Sequence, residues 1–341
     1  MEEAFKVPIR NLFVLLSYAD NMPELVRSMN DVDEELITYD FICKQFLKEV
    51  EIVHHRGLVK DYRAIVEPTN RLSGRMVMEE SIPYIISKQP IVVCEKDEYT
   101  ANIWINQLIK STLKSITWNQ HVKQETKSRS FKYMEGMPEV ETPPLTKSSF
   151  AKMTFGRHNM HYKRVLQIAL LLHEMTLLSH KNGNWSLFSA QLDERSLNGI
   201  FEKFLFNFYR IEQNEYRVKG EGIQWKLEGN KAFLPGMRTD VSLIHKNKPE
   251  KIIVDAKFYK NIFQVHHGKS SFHSHNMYQL FTYLMHQEPE LNLRGILIYP
   301  FNGDEVDERY VWNERMTIEV MTLNLDGSWK ESHQKLKGVL S

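Results

Sequence analysis

The chain has 341 residues, of which 42% are hydrophobic and 26% are charged. This length suits two ordinary domains with their own apolar cores, and the balance is typical of globular proteins, which excludes a disordered or fibrous chain. The formal net charge is only +1, so the chain as a whole lacks the strongly basic field of a protein that holds nucleic acid unaided. Any DNA contact is therefore expected to be local or shared with a partner.

The cysteine content and the first apolar segment indicate the compartment. Cys43 and Cys94 are the only cysteines, too few for a disulfide framework or a cysteine zinc cluster, and a reducing cytoplasm fits best. The apolar run from Phe5 to Tyr18 is short, is interrupted by Pro8 and Arg10, and lacks a small-residue cleavage site. We therefore expect neither a signal peptide nor a membrane span.

Hydrophobic periodicity predicts the elements in chain order. The first part is predicted to contain helix Val7–Tyr18, helix Phe41–Val53, strands Asp61–Glu67 and Arg71–Met78, and helix Ala101–Ile116. Residues 117–158 accumulate lysine, proline, serine and threonine, so the domain junction is placed there. The second part is predicted to contain helices His161–Leu178 and Ser196–Gln213, strands Asp240–Ile244 and Lys251–Tyr259, helix Ser274–Met285, strand Arg294–Tyr299, and strands around Arg309–Trp312 and Thr317–Leu323.

This order predicts an α+β or mixed α/β fold. An N-terminal domain of mixed helices and strands is expected over residues 1–158. A C-terminal domain is expected over residues 159–341, in which helix, hairpin strands, helix and strand follow one another. Such an order suits a mixed sheet flanked by helices.

Two acids and a lysine lie on two neighbouring predicted strands. Asp240 begins one strand, and Asp255 and Lys257 follow Ile252-Ile253-Val254 in the next. Because side chains alternate along a strand, Asp255 and Lys257 point to the same face, and the neighbouring strand can present Asp240 beside them. Two carboxylates beside an ammonium suit Mg²⁺ that keeps several waters and takes other ligands from a substrate phosphate, with Lys257 orienting or deprotonating the attacking water. The pattern predicts a metal-dependent phosphodiesterase site.

A purely structural interpretation of the same residues stays open. Asp240 can cap a turn, and Asp255 can form an ordinary ion pair with Lys257 or Lys260. An acidic residue two positions before a lysine is common by chance, so spacing alone does not decide between the two interpretations.

These residues resemble the PD-(D/E)xK nuclease signature, with Asp240 as the first acid and Asp255-Ala256-Lys257 as the second acid and the lysine. Across almost the whole chain, the sequence also resembles the McrC family, the nuclease subunit of McrBC modified-cytosine restriction systems. Any one matching segment is weak, but their ordered combination is specific: Val7-Pro8-Ile9-Arg10-Asn11-Leu12, Tyr18-Ala19, Arg56-Gly57-Leu58, Gly74-Arg75, Leu234-Pro235, Asp255-Ala256-Lys257-Phe258-Tyr259-Lys260 and Tyr278-Gln279-Leu280.

The resemblance implies further site residues and a restriction-endonuclease-like C-terminal domain. Glu202 matches an acid on the first helix of this nuclease fold that reaches the metal directly or through water, although a solvated charge on an amphipathic helix explains it equally well. Gln279 and Tyr283 resemble a Gln-x-x-x-Tyr element, in which we favour a site role for Gln279 and packing for Tyr283. The sequence departs from the signature in one respect, because Pro235 does not directly precede Asp240.

The resemblance also implies partners and a division of labour. It implies a Mg²⁺-dependent DNA endonuclease subunit that cuts when assembled with an McrB-like AAA+ GTPase hexamer. GTP is used by the partner, since this chain has no phosphate-binding motif for it. The partner recognises double-stranded DNA containing modified cytosine and translocates, while the N-terminal half of this chain docks into the ring and stimulates GTP hydrolysis.

The sequence also allows two other functions, and it contains a histidine-rich segment and a basic stretch outside the acidic site. The chain can instead be a non-catalytic regulatory adaptor that activates a partner nucleotidase, or a free-standing nuclease. The segment containing His266, His267, His273 and His275 is predicted to form a mobile loop that faces DNA. The basic stretch from Lys110 to Lys132 can bind nucleic acid or an acidic partner, or can simply be solvated.

Overall fold

The computed structural model describes residues 5–151, 154–182, 185–186, 189–192, 194–258, 262–266, 269–301 and 303–340. The helices are α1 (Ile9–Ala19), α2 (Pro23–Arg27), α3 (Tyr39–Arg56), α4 (Met78–Ile86), α5 (Trp104–Trp118), α6 (Gln124–Glu135), α7 (Lys147–Ala151), α8 (Lys163–Asn182), α9 (Glu194–Glu212), α10 (Ser274–Met285) and α11 (Trp329–Gly338). Within the described ranges, no helix is both long enough and apolar enough to cross a bilayer.

The strands range from two to nine residues in length. They are β1 (Phe5–Pro8), β2 (Asp61–Thr69), β3 (Arg75–Met76), β4 (Val92–Thr100), β5 (Trp185–Ser186), β6 (Ser189–Leu192), β7 (Tyr216–Lys219), β8 (Gly222–Ile223), β9 (Met237–Arg238), β10 (Val241–His245), β11 (Glu250–Ala256), β12 (Phe263–His266), β13 (Lys269–Phe272), β14 (Asn292–Pro300), β15 (Asp307–Asn313) and β16 (Met316–Leu323).

The chain forms two compact units, and the N-terminal segment belongs to the C-terminal one. Residues up to 38 and from 175 onward make up the first unit, and residues 39–174 make up the second. Helix α1 packs against α9, the Asn11 side-chain amide donates to the carbonyl of Leu325 at 2.6 Å, and that of Asn207 donates to the carbonyl of Tyr18 at 2.9 Å. This division differs from the boundary predicted at residue 158, because periodicity locates a helix but not its packing partner. The docking role of residues 1–158 stays a prediction.

The first unit is organised around a six-stranded mixed sheet. Its strand order is β15-β16-β14-β11-β10-β7, with β14 parallel to both β11 and β16 and the other neighbours antiparallel. Helices α9 and α10 pack against it. Strand β11 is central, and its residues Ile252, Ile253 and Val254 are fully buried. The predicted mixed sheet flanked by helices is confirmed.

One face of the sheet is covered by α10. Leu280, Tyr283 and Leu284 of this helix belong to one buried cluster with Ile253 of β11 and with residues of β14 and β16. Gly295 of β14 pairs with Ile253 and allows the helix to approach closely, since a Cβ built there would lie 2.7 Å from Leu284 Cδ1. This contact sets the distance between α10 and the face that also carries Asp255.

The second unit combines packed helices with a small sheet. Helix α6 packs against both α3 and α5, and the sheet has the order β2-β4-β3 with α4 against β4. The prediction of a strand over Arg71–Met78 is wrong in extent. Gly74 makes a turn with φ of 82°, only Arg75 and Met76 pair with β4, and a helix begins at Met78.

We expect Gly295→Ala to lower the free energy of unfolding by about 1–3 kcal/mol, because the added methyl overlaps Leu284 and Leu280 in a packed core. Chemical denaturation measures the change. Gly199→Ala is the matched control, since Gly199 is exposed on α9 with nothing within 4 Å of its Cβ position. That control is expected to gain about 0.5–1 kcal/mol from helix propensity. Equal effects in the two variants would contradict the close approach.

Candidate active site

The two acids meet across the hairpin formed by β10 and β11. Val241 pairs with Val254 in this antiparallel ladder, so Asp240 and Asp255 stand opposite each other one residue further along. Asp240 Oδ2 accepts a hydrogen bond from the backbone N–H of Ala256 at 2.9 Å. The structure therefore brings together the two carboxylates that strand alternation places on one face.

Lys257 lies beside Asp255 at the end of the same strand. Its Nζ is 2.9 Å from Asp255 Oδ2, and its backbone N–H donates to the carbonyl of Ile298 at 3.0 Å. The Lys257 side chain is 14% exposed, whereas the Asp255 side chain is 1% exposed. The Asp255 carboxylate is therefore the more deeply buried member of this ion pair.

Asp255 is a buried acid in an unfavourable environment. Its pKa is raised to about 7, chiefly by burial; the Lys257 ammonium lowers the pKa and the negative charge of Asp240 raises it, so Lys257 offsets the rise only in part. Its Oδ1 accepts no hydrogen bond from any described residue. A buried carboxylate oxygen without a partner is costly in a folded protein. Such an environment is typical of a group that serves a ligand or a reaction.

Glu202 approaches this pair from α9. Burial raises the pKa of its carboxyl, the charge of Asp240 raises it further, and Lys257 lowers it, so Glu202 lies within electrostatic reach of both. The Asn198 side-chain amide donates to Glu202 Oε1, and Asn198 Oδ1 accepts a hydrogen bond from the backbone N–H of Phe258 at 3.2 Å. Asn198 therefore ties the Glu202 carboxylate to the chain directly after Lys257.

Sequence reasoning missed Asn198. The one available signal was the spacing of four residues between Asn198 and Glu202, which places both on the same face of a helix. That spacing does not reveal that the other end of the amide bonds to residue 258. The link depends on how α9 packs against the end of β11, which no local pattern encodes.

The position of Gln279 does not decide whether it belongs to the site. Its side-chain amide donates to the hydroxyl of Tyr283 at 2.6 Å, one turn further along α10. Tyr283 is 5% exposed and packs in the core, as predicted. The hydrogen bond described for Gln279 is made to Tyr283 and not to the acids, so a role in the site stays a prediction.

The described residues of the histidine-rich segment form strands where a loop was predicted, and the predicted contact with DNA stays a prediction. Strands β12 and β13 form an antiparallel hairpin here, with Phe263 paired to Phe272 and the two rings stacked at 5.2 Å. Alternating aromatic and polar residues explain the pairing. His267 and the His266 side chain lie outside the described residues, and the His273 and His275 rings contact each other at 5.7 Å.

Part of the predicted basic surface has a structural role. Lys110 Nζ donates to the carbonyls of Met137 and Val140, both at 2.6 Å, and Arg129 lies 3.6 Å from Glu51. Lys110 therefore fixes a neighbouring segment of the second unit, whereas Arg129 forms an ion pair that is exposed to solvent. The remaining lysines of that stretch keep both interpretations open.

The donor atoms can be tested against a magnesium ion. In the part of the chain that the structure describes, no group of three or more His, Cys, Asp or Glu side chains is arranged to hold a metal. Asp240 and Asp255 nevertheless supply hard carboxylate oxygens, including the buried Oδ1 of Asp255 without a partner. Mg²⁺ commonly takes one or two carboxylates and completes its shell with waters and substrate phosphate. The donor set fits an ion of that kind.

Comparisons with known proteins assign the family. The family model of the McrBC 5-methylcytosine restriction system component matches residues 5–300. This chain belongs to the McrBC family. It is 26% identical over 337 residues to the type IV methyl-directed restriction enzyme EcoKMcrBC of Escherichia coli (strain K12), which covers 97% of this chain and 96% of that protein.

A solved structure shares the fold of this McrBC family member. It is the refined half-complex from a tetradecameric assembly of Thermococcus gammatolerans McrB AAA+ hexamers with bound McrC. The match has a TM-score of 0.52 and 14% sequence identity, and it covers 96% of this chain and 75% of that chain. At this identity, the match establishes similarity of fold alone.

The raised pKa of Asp255 predicts a pH dependence of stability in the presence of a chelator. A carboxyl that binds its proton more tightly when folded stabilises the protein at low pH, and this contribution is lost between about pH 4 and pH 7. Asp255→Asn removes this loss. Above pH 7 we therefore expect the free energy of unfolding of the variant to exceed that of the wild type by an amount on the order of 2–4 kcal/mol. Urea unfolding across this range measures the difference.

Asp307→Asn is the control for that measurement, because Asp307 is exposed on β15. The control should follow the wild type at every pH. If the difference in free energy of unfolding between Asp255→Asn and the wild type does not widen as the pH rises, the pKa of Asp255 is not raised.

Proposed function

We propose that this chain is the nuclease subunit of a cytoplasmic, modified-cytosine-dependent restriction complex, a Mg²⁺-dependent endodeoxyribonuclease of the PD-(D/E)xK type. The observation that carries the proposal is the meeting of Asp240, Asp255 and Lys257 at the ends of two paired strands. Membership of the McrBC family supports it, as does the methyl-directed restriction enzyme named in the Escherichia coli relative.

Each residue has a distinct role in this proposal. Asp240 and Asp255 would hold the ion, with Glu202 as a further ligand, directly or through water, kept in place by Asn198. A bound Mg²⁺ would polarise the phosphoryl oxygen and lower the pKa of a coordinated water. The Lys257 ammonium, 2.9 Å from Asp255 Oδ2, stabilises negative charge that develops on the phosphate and orients the attacking water. Gln279 is proposed to contact the substrate.

The second unit offers a surface for the partner. Large apolar side chains on β2, β4, α4 and the turns between them are exposed to solvent: Tyr62, Val66, Leu72, Met78, Ile82, Ile85, Ile86 and Tyr99. We call residues 61–100 the apolar arm. Contiguous exposed apolar surface marks sites of protein association. We propose that the apolar arm docks an McrB-like AAA+ GTPase hexamer, stimulates its GTP hydrolysis, and leaves recognition of modified double-stranded DNA to that partner.

One observation favours a second function. The ion pair between Lys257 and Asp255 is what the purely structural interpretation of these residues predicts. In that case the chain is a regulatory adaptor that docks and activates its partner without cutting DNA. The buried, partnerless Oδ1 of Asp255 argues for the nuclease, because a structural ion pair gains nothing from an unsatisfied oxygen.

The two functions are separated by Asp255→Asn in the complex reconstituted with the AAA+ partner. We expect cleavage of methylated duplex DNA to fall about a hundredfold or more, because a ligand of the ion is lost. GTP hydrolysis should remain at the wild-type rate. Cleavage is followed by gel electrophoresis and GTP hydrolysis by phosphate release, with Asp307→Asn as the control that keeps both. Undiminished cutting by Asp255→Asn would rule out the nuclease assignment.

The docking surface is tested by Ile86→Ser in the apolar arm. Ile86 is 76% exposed, so stability should change by less than about 0.5 kcal/mol. Affinity for the partner should fall about tenfold, with a matching loss of GTPase stimulation, if Ile86 is an anchor of the interface. Leu36→Ser is the control, because Leu36 is 62% exposed in the other unit. Equal binding by both variants would place the interface elsewhere.

A further inference from the structure

Three exposed cations lie along the edge strand of the six-stranded sheet and on the short strand that leads into Asp240. Arg217 and Lys219 are on the edge strand β7, and Arg238 is on β9. We call these three residues the cationic edge. All three side chains are exposed to solvent. Their positions relative to the acids follow from the register of the strands.

The strand pairing places two of these cations on the face that carries Asp255. Lys219 pairs with Ser242, and Arg217 pairs with Ile244. Directly paired residues project to the same face of a sheet, and residues two apart along a strand do so as well. Ser242 also pairs with Ile253 of β11, and Asp255 is two residues after Ile253 in that strand, so Asp255, Lys219 and Arg217 project to one face of the sheet.

The third cation, Arg238, lies close to the end of β7. A Cβ built on Gly220 would lie 3.5 Å from the backbone oxygen of Asp240 and 4.0 Å from Arg238 Nη2. The Arg238 guanidinium therefore lies close to Gly220, the residue that follows β7 and whose backbone is near that of Asp240. From strand geometry, the Cα of Lys219 is roughly 8 Å from that of Asp240.

No described carboxylate forms an ion pair with Arg217, Lys219 or Arg238. Neighbouring lysines of the same sheet behave differently, since Lys251 pairs with Glu221 and Lys257 pairs with Asp255. Glu221, the acid next to Gly220, is thus already engaged. The cationic edge is left with uncompensated positive charge beside a pair of acids that would otherwise repel a phosphate.

We propose that the cationic edge binds backbone phosphates of duplex DNA next to the phosphate that is cut, an inference that rests on the proposed nuclease function. Arg217 and Lys219 are about 7 Å apart along the strand, a distance that covers about two phosphates of one DNA strand. The contacts position the duplex without reading its sequence. They supply the local DNA contact that a net charge of +1 leaves to a few residues.

Salt dependence of binding tests the proposal directly. Arg217→Ala, Lys219→Ala and Arg238→Ala are each placed in the reconstituted complex carrying Asp255→Asn, which prevents cutting. Fluorescence anisotropy with methylated and unmethylated duplexes of one length gives the affinity at several salt concentrations. Each substitution should weaken binding about fivefold for both duplexes and lower the slope of log affinity against log salt by about 1.

Lys248→Ala is the matched control. Lys248 is an exposed lysine in the turn at the other end of the β10–β11 hairpin, so it should leave the slope unchanged. Arg217→Lys keeps the charge and should restore the slope, which separates a phosphate contact from a folding defect. The proposal would be overturned if the three alanine variants kept the wild-type slope, or if their affinity for DNA fell no more than that of Lys248→Ala.

Different results would exclude the proposed role of the cationic edge and the proposed nuclease function. Cleavage by complexes with intact Asp255 is measured beside the binding series. If these complexes cut and the alanine variants keep the full slope, the nuclease stands and the cationic edge does not. If the slope falls in the variants but the wild-type complex does not cut, the cationic edge stands as a DNA contact and the nuclease does not.

Discussion

The candidate site depends on a single cross-strand pairing. The antiparallel ladder of β10 and β11 places Asp240 opposite Asp255, at the point where a fully buried strand reaches the end of the sheet. Burial and the neighbouring carboxylate both disfavour ionised Asp255, and Lys257 offsets this only in part. A residue in that position lowers stability unless a cation joins it, which is why we regard the pairing as functional rather than structural.

Helix α9 connects that pairing to the rest of its unit. Near its beginning, Asn198 holds Glu202 and the backbone of Phe258, while nearer its end Asn207 bonds the carbonyl of Tyr18 in α1. The last residue of the helix, Glu212, accepts a hydrogen bond from the Tyr18 hydroxyl at 2.8 Å. A helix held at both ends cannot easily rotate or slide. The acid on α9 is therefore presented at a fixed distance from the acids on the sheet, as a site that orients a hydrated ion requires.

The parts of the fold that sequence predicts are those governed by short-range patterns. The β10–β11 hairpin, helix α10 and the alternation that places Asp255 and Lys257 on one face are all written in neighbouring residues. Helix α4 and strand β4 were missed because Pro83 interrupts the first and charged residues fill the second. Asn198 and the return of α1 to the C-terminal half depend on contacts between distant segments. A single sequence does not encode such contacts in any local period.

Charge is distributed in a way that agrees with shared labour between this chain and a partner. Several cations of the sheet are neutralised by carboxylates, as in the pairs Lys251–Glu221, Lys257–Asp255 and Arg294–Glu319. Uncompensated positive charge is then concentrated at the cationic edge, where it acts over about a Debye length, roughly 8 Å in physiological salt. A field of that range positions DNA that has already arrived, but it does not capture DNA from a distance. The proposed function therefore assigns capture and recognition of DNA to the partner, and proposes the exposed apolar side chains of residues 61–100 as the surface that this partner binds.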